Sequence, residues 1–323
     1  MLSRVAQNIY WMSRYLERVE DTARLISVNT NLLLDLPRDT AFGWQPLVFI
    51  IGNQDEFYKH YQQPDEVSVV KFLVGDQDNA GSILSSLSFA RENLRTTRDV
   101  VPREAWEQVN DLYMYVRDHL EMGMSRRGRY EFLRRIIQSS QQITGLLAGT
   151  MSHTNAYDFV RLGRHLERAD MTTRIIDVRS ANLLIGQRQT QGSQDQEQIQ
   201  QMELNPFENI QWMSVLKSLS AYQMYRQQIR LRVRGPDVVK FLLQEPLFPR
   251  TVYHCLNQMK FCLQKLPAPK NAEILASIAE LKKNLTGVNI PELTKGGLHE
   301  FIDELQIGLG RIHEQIAAAY FAH

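Results

Sequence analysis

Apolar residues recur along this chain at steps of three, four and seven, the spacing of one face of an α-helix. In the first segment Ile9, Met12, Leu16, Val19, Ala23, Ile26 and Leu33 fall on one such stripe. Similar stripes run over residues 83–97, 102–120, 130–151, 157–185, 210–226, 251–266, 272–285 and 299–321. The joints between them carry helix breakers: Pro37, Pro64, Gly123, Gly128, Gly235-Pro236, Pro246, Pro267-Ala268-Pro269 and Pro291. Pro102 suits the first turn of a helix, and Asp237, set before the apolar run 238–243, reads as an N-cap. Residues 67–74 hold enough β-branched side chains for a strand, but one strand without a partner makes no sheet. The pattern predicts an all-α fold of about ten helices.

The pattern also repeats. Residues 14–34 align without a gap to residues 164–184, and ten of these 21 pairs are identical. Further on, Val69-Val70-Lys71-Phe72-Leu73 returns as Val238-Val239-Lys240-Phe241-Leu242, so the offset has grown from 150 to 169. The growth falls on a glutamine-rich stretch, 186–206, whose polar composition buries little apolar surface and reads as an inserted loop. We therefore expect an internally duplicated helical bundle, one domain made of a first repeat (1–154) and a second (155–323). The expected arrangement is pseudo-twofold, with the helices of residues 8–34 and 157–185 beside the axis.

The repeat changes the meaning of the polar residues. Opposite the apolar stripe of the first helix lie Arg14, Glu17, Arg18, Asp21 and Arg24, together with Tyr10, Leu25, Val28 and Leu32. The second copy keeps Arg164, Glu167, Arg168 and Arg174. A solvated face should drift after duplication, yet here the charged residues are the identical ones. They are expected to be at least partly buried and paired. Two readings stay open: a buried ion-pair network that fixes the packing of the halves, or a pocket in which guanidinium forks hold a carboxylate or phosphate. A second polar cluster, Arg91-Glu92-Asn93, occurs in the first half only and is a further binding candidate. A metal site is not expected. Glu17 is followed at three by Glu20 and Glu167 by Asp170, not by the histidine of a di-iron bundle.

Composition narrows the classes. The 37 basic and 36 acidic side chains leave a charge of +1, which speaks against nucleic acid as a partner. No phosphate-binding glycine loop occurs and no cofactor is implied. Cys255 and Cys262 lie about 10 Å apart along one helix, too far to bridge there, and free thiols suit a cytoplasmic protein. No signal-peptide core and no apolar run of membrane-spanning length is present, so no membrane association is expected.

The stretches Trp11-Met-Ser-Arg-Tyr-Leu-Glu-Arg-Val-Glu-Asp-Thr-Ala-Arg24 and Phe159-Val-Arg-Leu-Gly-Arg-His-Leu-Glu-Arg-Ala-Asp170 resemble the bacterial alpha-E domain family, a helical family named for its Glu-Arg motif. The blocks Ala90-Arg-Glu-Asn93, Phe248-Pro-Arg-Thr251 and Gly149-Thr-Met151 resemble it too, so the likeness covers essentially the whole chain. Ser13 against Gly163, Thr251 in place of an expected serine, and the glutamine-rich loop depart from the pattern without removing a Glu-Arg pair. The resemblance implies association with a circularly permuted ATP-grasp protein and a transglutaminase-like protein, in systems that make or modify peptides by amide ligation. It brings no catalytic residues. The expected function is a non-catalytic helical partner in such a system. The alternative is a small-ligand binder or enzyme that uses the Arg/Glu cluster, and self-assembly into a homo-oligomer stays open.

Overall fold

The two stripes that share an alignment form the two longest helices of the computed structural model, α1 (Ser3–Asp35) and α9 (Asn155–Thr190). At 1.5 Å per residue each is roughly 50 Å long. The structure describes residues 3–35, 43–190, 206–230, 232–267 and 271–321, and among these it is all-α. After α1 come α2 (Gln45–Ile51), α3 (Gln54–His60), α4 (Glu66–Val74), α5 (Ile83–Arg95), α6 (Arg103–Asp118), α7 (Leu120–Met124) and α8 (Arg126–Thr150). After α9 the chain runs through α10 (Pro206–Ser218), α11 (Tyr222–Gln228), α12 (Gly235–Gln244), α13 (Val252–Lys265), α14 (Asn271–Gly287), α15 (Ile290–Leu293) and α16 (Leu298–Tyr320).

The packing follows the same order in both stretches. α1 lies against α5 and α8, with α6 closing that bundle; α9 lies against α13 and α16, with α14 closing its own. The short helices cross over: α2 packs on α9, and α10 packs on α1. Each bundle fills its centre with stripe residues, such as Phe132, Ile136 and Ile143 of α8 and Ile302, Leu309 and Ile316 of α16. Corresponding helices even share their caps. The Ser82 hydroxyl accepts from the Ser85 N–H at the start of α5, and the Thr251 hydroxyl accepts from the His254 N–H at the start of α13.

α1 and α9 pack directly on each other and run in the same direction. Positions 150 apart meet along the seam: Gly163 abuts Ser13, and the Arg179 guanidinium donates to Asn29 Oδ1 at 2.9 Å. Gly163 is what permits the approach. A Cβ there would run into the Tyr10 carbonyl oxygen and the Ser13 hydroxyl, and would lie 3.1 Å from the Tyr10 carbonyl carbon. Backbone cannot yield as a side-chain tip can, so Gly163→Val should cost about 2–4 kcal/mol, at or above the usual range for overpacking. Urea unfolding would measure this, and adding Ser13→Gly, which removes one of the two colliding atoms, should restore part of the loss.

Several local expectations need correction. About ten helices were expected against sixteen among the described residues; the additional ones include α2, α3, α7, α11 and α15, of seven residues or fewer, which are too short to show a period. Residues 67–74 are helical. Asp65 caps α4 by accepting from the Ser68 N–H, and Val69, Val70, Phe72 and Leu73 are buried while Val67 is exposed. Asp237 sits inside the first turn of α12, because Pro236 can start the helix earlier and Arg234 takes the cap position. Pro102 stands just before α6. The start of the expected glutamine-rich loop, 186–190, continues α9, and residues 191–205 lie outside the described residues.

Candidate functional site

α1 is buried on nearly all sides: Ile9, Met12, Val19, Ala23 and Ile26 face one bundle, while Arg14, Glu17, Glu20 and Asp21 are buried on its polar side. Buried charges must pair, and here they pair across the seam. Arg14 Nε donates to Glu167 Oε2 at 2.7 Å and Arg18 Nε donates to Glu167 Oε1 at 2.7 Å. In return, Arg168 Nε donates to Glu17 Oε1 at 2.6 Å. Each half lends arginine to the other half's glutamate. Outside this exchange, Arg24 pairs with Glu20 at 2.6 Å and Arg174 with Asp170 at 2.9 Å, each one turn along its own helix.

The exchange is not fully symmetric. Arg164, the counterpart of Arg14, makes no hydrogen bond to Glu17, and its Nε is buried without a partner. The second guanidinium group bonded to Glu17 is instead that of Arg250, from another direction. Its guanidinium reaches Glu17 at 2.8 Å, Glu20 at 3.0 Å and Asp21 at 2.6 Å. Sequence reasoning did not assign Arg250 a role. The available signal was an excess of acid: Glu17, Glu20 and Asp21 share one helix side, and burial obliges them to find a cation from elsewhere.

The electrostatics follow from this packing. Burial alone would push the Glu167 carboxyl up; the charges and hydrogen bonds of Arg18 and Arg14 outweigh it and hold the group at about 2. Burial opposes ionisation of Glu17 as well, and Arg168 and Arg250 again win, so its value is lowered. Asp21 goes the other way, up to about 7, because burial and the neighbouring Glu17 and Glu20 outweigh Arg250. Its Oδ2 has no hydrogen-bond partner. Cys255, at the same centre, is pushed up to about 12 by burial, which leaves an unreactive thiol. His165 is held far below its usual range by burial and by Arg168 and Arg164, and stays neutral.

The Arg91-Glu92-Asn93 cluster does not converge. Arg91 turns to α6, where Nε donates to Asn110 Oδ1 at 2.8 Å and the guanidinium stacks by Trp106 and Tyr113. Glu92 pairs at the surface with Arg95, and the Asn93 carbonyl accepts from the Thr96 and Thr97 hydroxyls. Asp177, His299 and Asp303 are the one group of metal-type ligands close together among the described residues. There His299 Nδ1 lies 2.7 Å from Asp177 Oδ1, as in an ordinary exposed ion pair. A cleft of about 240 Å³ opens beside Glu167, with Arg18, Asp170 and Arg174 in its walls. Among the described residues no helix is long and apolar enough to cross a membrane.

No curated protein and no solved structure matches the chain. The model of the Alpha-E family, described as a predicted alpha-helical domain with a conserved ER motif, matches residues 1–321. In this chain Glu17-Arg18 and Glu167-Arg168 are the Glu-Arg pairs that exchange partners across the α1–α9 seam. By a match that spans all but its last two residues, the chain belongs to the Alpha-E family.

Proposed function

We propose that this protein is a non-catalytic helical partner, in the cytoplasm, of a circularly permuted ATP-grasp ligase and a transglutaminase-like protein that make or modify peptides. The observation that carries the non-catalytic part is the closure of the Glu-Arg pairs. Glu167, held at about 2 and bonded by two arginines, is fixed as a carboxylate near neutral pH. A general acid or base needs a value near the operating pH and a place within reach of substrate; Glu167 lacks the first, and Asp21, which stands at about 7, is buried and bonded to Arg250. Work on a partner then falls to the surface.

The α5–α6 edge is the contact region that the chemistry favours. Arg98 lies 4.0 Å from the Trp106 ring centroid, and Arg91 stacks at 5.5 Å from the same ring and 5.2 Å from Tyr113. Tryptophan, tyrosine and arginine dominate binding hot spots. The ATP-grasp partner itself rests on the family resemblance. Size-exclusion chromatography of the two purified proteins should give co-elution, weakened by Trp106→Ala by about 2 kcal/mol or more at a true hot spot. Separate elution of the wild-type proteins would refute the partnership.

A further inference from the structure

The two bundles differ at one place that matters for ligands. Arg250 is the residue just before the N-cap Thr251 of α13. Its counterpart, just before the N-cap Ser82 of α5, is Gly81. Glycine brings no side chain, and the space that Arg250 fills in one bundle is, in the other, the cleft of about 240 Å³ whose wall includes Gly81. The acids differ in step. Asp21, which bonds Arg250, has Met171 as its counterpart, and Met171 lines the same cleft.

These two changes cancel in charge, so the walls hold two guanidinium groups, Arg18 and Arg174, and two carboxylates, Glu167 and Asp170; the extra positive charge of the wider cluster is that of Arg14, which bonds Glu167 from outside the walls. Around Glu17, the three carboxylates of Glu17, Glu20 and Asp21 are joined to the three guanidinium groups of Arg24, Arg168 and Arg250. Around Glu167, the two carboxylates of Glu167 and Asp170 are joined to the three of Arg14, Arg18 and Arg174. Arg18 and Arg174 are each anchored only through Nε, to Glu167 and to Asp170. Their outer nitrogens make no hydrogen bond to a described residue, although both side chains line the cleft. Arg174 is also held in place from behind: its guanidinium lies so close to Gly52, whose φ is +81°, that a Cβ there would collide with it.

We propose that this cleft binds a carboxylate, seated between the outer nitrogens of Arg18 and Arg174, with a short apolar stem against Ile51 and Met171. Two guanidinium edges, one fixed by the buried Glu167 and one by the half-buried Asp170, suit the two oxygens of a planar carboxylate, and each can give charge-assisted bonds. The volume is below the roughly 300–1,000 Å³ of pockets for drug-sized ligands. It suits a small acid or the end of a chain. The site goes beyond the partner reading and does not rest on it; ligand titration and co-elution fail separately.

Titration calorimetry with N-acetylalanine, N-acetyl-trialanine, their C-terminal amides and inorganic phosphate tests the proposal. Both acids should bind at least tenfold tighter than their amides. Comparable affinity for the two acids would indicate a free small acid as ligand, and a clear gain with the longer one a chain end. Arg174→Gln, at a partly exposed side chain paired only along its own helix, should keep its helical circular dichroism and lose at least tenfold in acid affinity. Equal affinity for acid and amide, or unchanged binding in Arg174→Gln, would overturn the proposal. So would phosphate binding tighter than either acid.

Discussion

Replacing Arg250 with methionine should cost about 3–5 kcal/mol at neutral pH, the usual penalty for removing one partner of a buried ion pair. Methionine nearly keeps the volume, so the loss reports charge. Arg250 is buried and is bonded to Glu17, Glu20 and Asp21, and without it three carboxylates are left to Arg168 and Arg24, with Arg164 nearby but bonded to none of them. The pH dependence identifies the cause. Asp21 already stands raised, to about 7, from its ordinary 3.8. Loss of the cation raises Asp21 further and brings Glu17 up from its lowered value. A carboxyl whose folded value is raised favours the fold while protonated and loses that contribution as pH rises through the folded value. The Arg250→Met protein should therefore be more stable near pH 5 than near pH 8, with the gap to wild type narrowing as pH falls. Thermal melts across that range would measure it, and a gap independent of pH would mean that Arg250 acts by packing alone.

The second large effect belongs to Glu167. Its carboxyl is depressed from an ordinary 4.5 to about 2, which corresponds to roughly 3 kcal/mol at about 1.36 kcal/mol per unit. The sign is opposite to that of Asp21: this stability is present above pH 4.5 and is lost as pH falls from 4.5 towards 2. Glu167→Ala removes it and also leaves Arg14 and Arg18 without their carboxylate, Arg14 being buried. A loss of about 3–5 kcal/mol is expected. Arg14 retains contact with the Trp11 ring at 4.7 Å, which offsets a part.

Much of this arrangement could be read from the residues before any fold was in view. The stripe from Ile9 to Ile26 was legible because an apolar period of 3.6 over five turns admits one interpretation. The pairing of Arg14, Glu17 and Arg18 with their copies was legible because identity on a polar face marks partners within the protein. Arg250 was not, since it reaches Asp21 from 229 residues away and sits in a turn, where no period marks it. The cleft was hidden for the same reason. Gly81 is informative only once it is seen to stand where Arg250 stands in the other bundle. Short helices such as α7 and α15 leave no period to detect, and their boundaries are set by the tertiary packing of α4 against α7 and α12 against α15.

The Glu-Arg exchange across α1 and α9 holds the two bundles together as structure. Urea unfolding of Glu167→Ala beside the wild type at pH 7 tests it most directly. The variant should be less stable by about 3–5 kcal/mol with an unchanged denaturant slope. A loss below about 1 kcal/mol, the worth of an exposed pair, would contradict it.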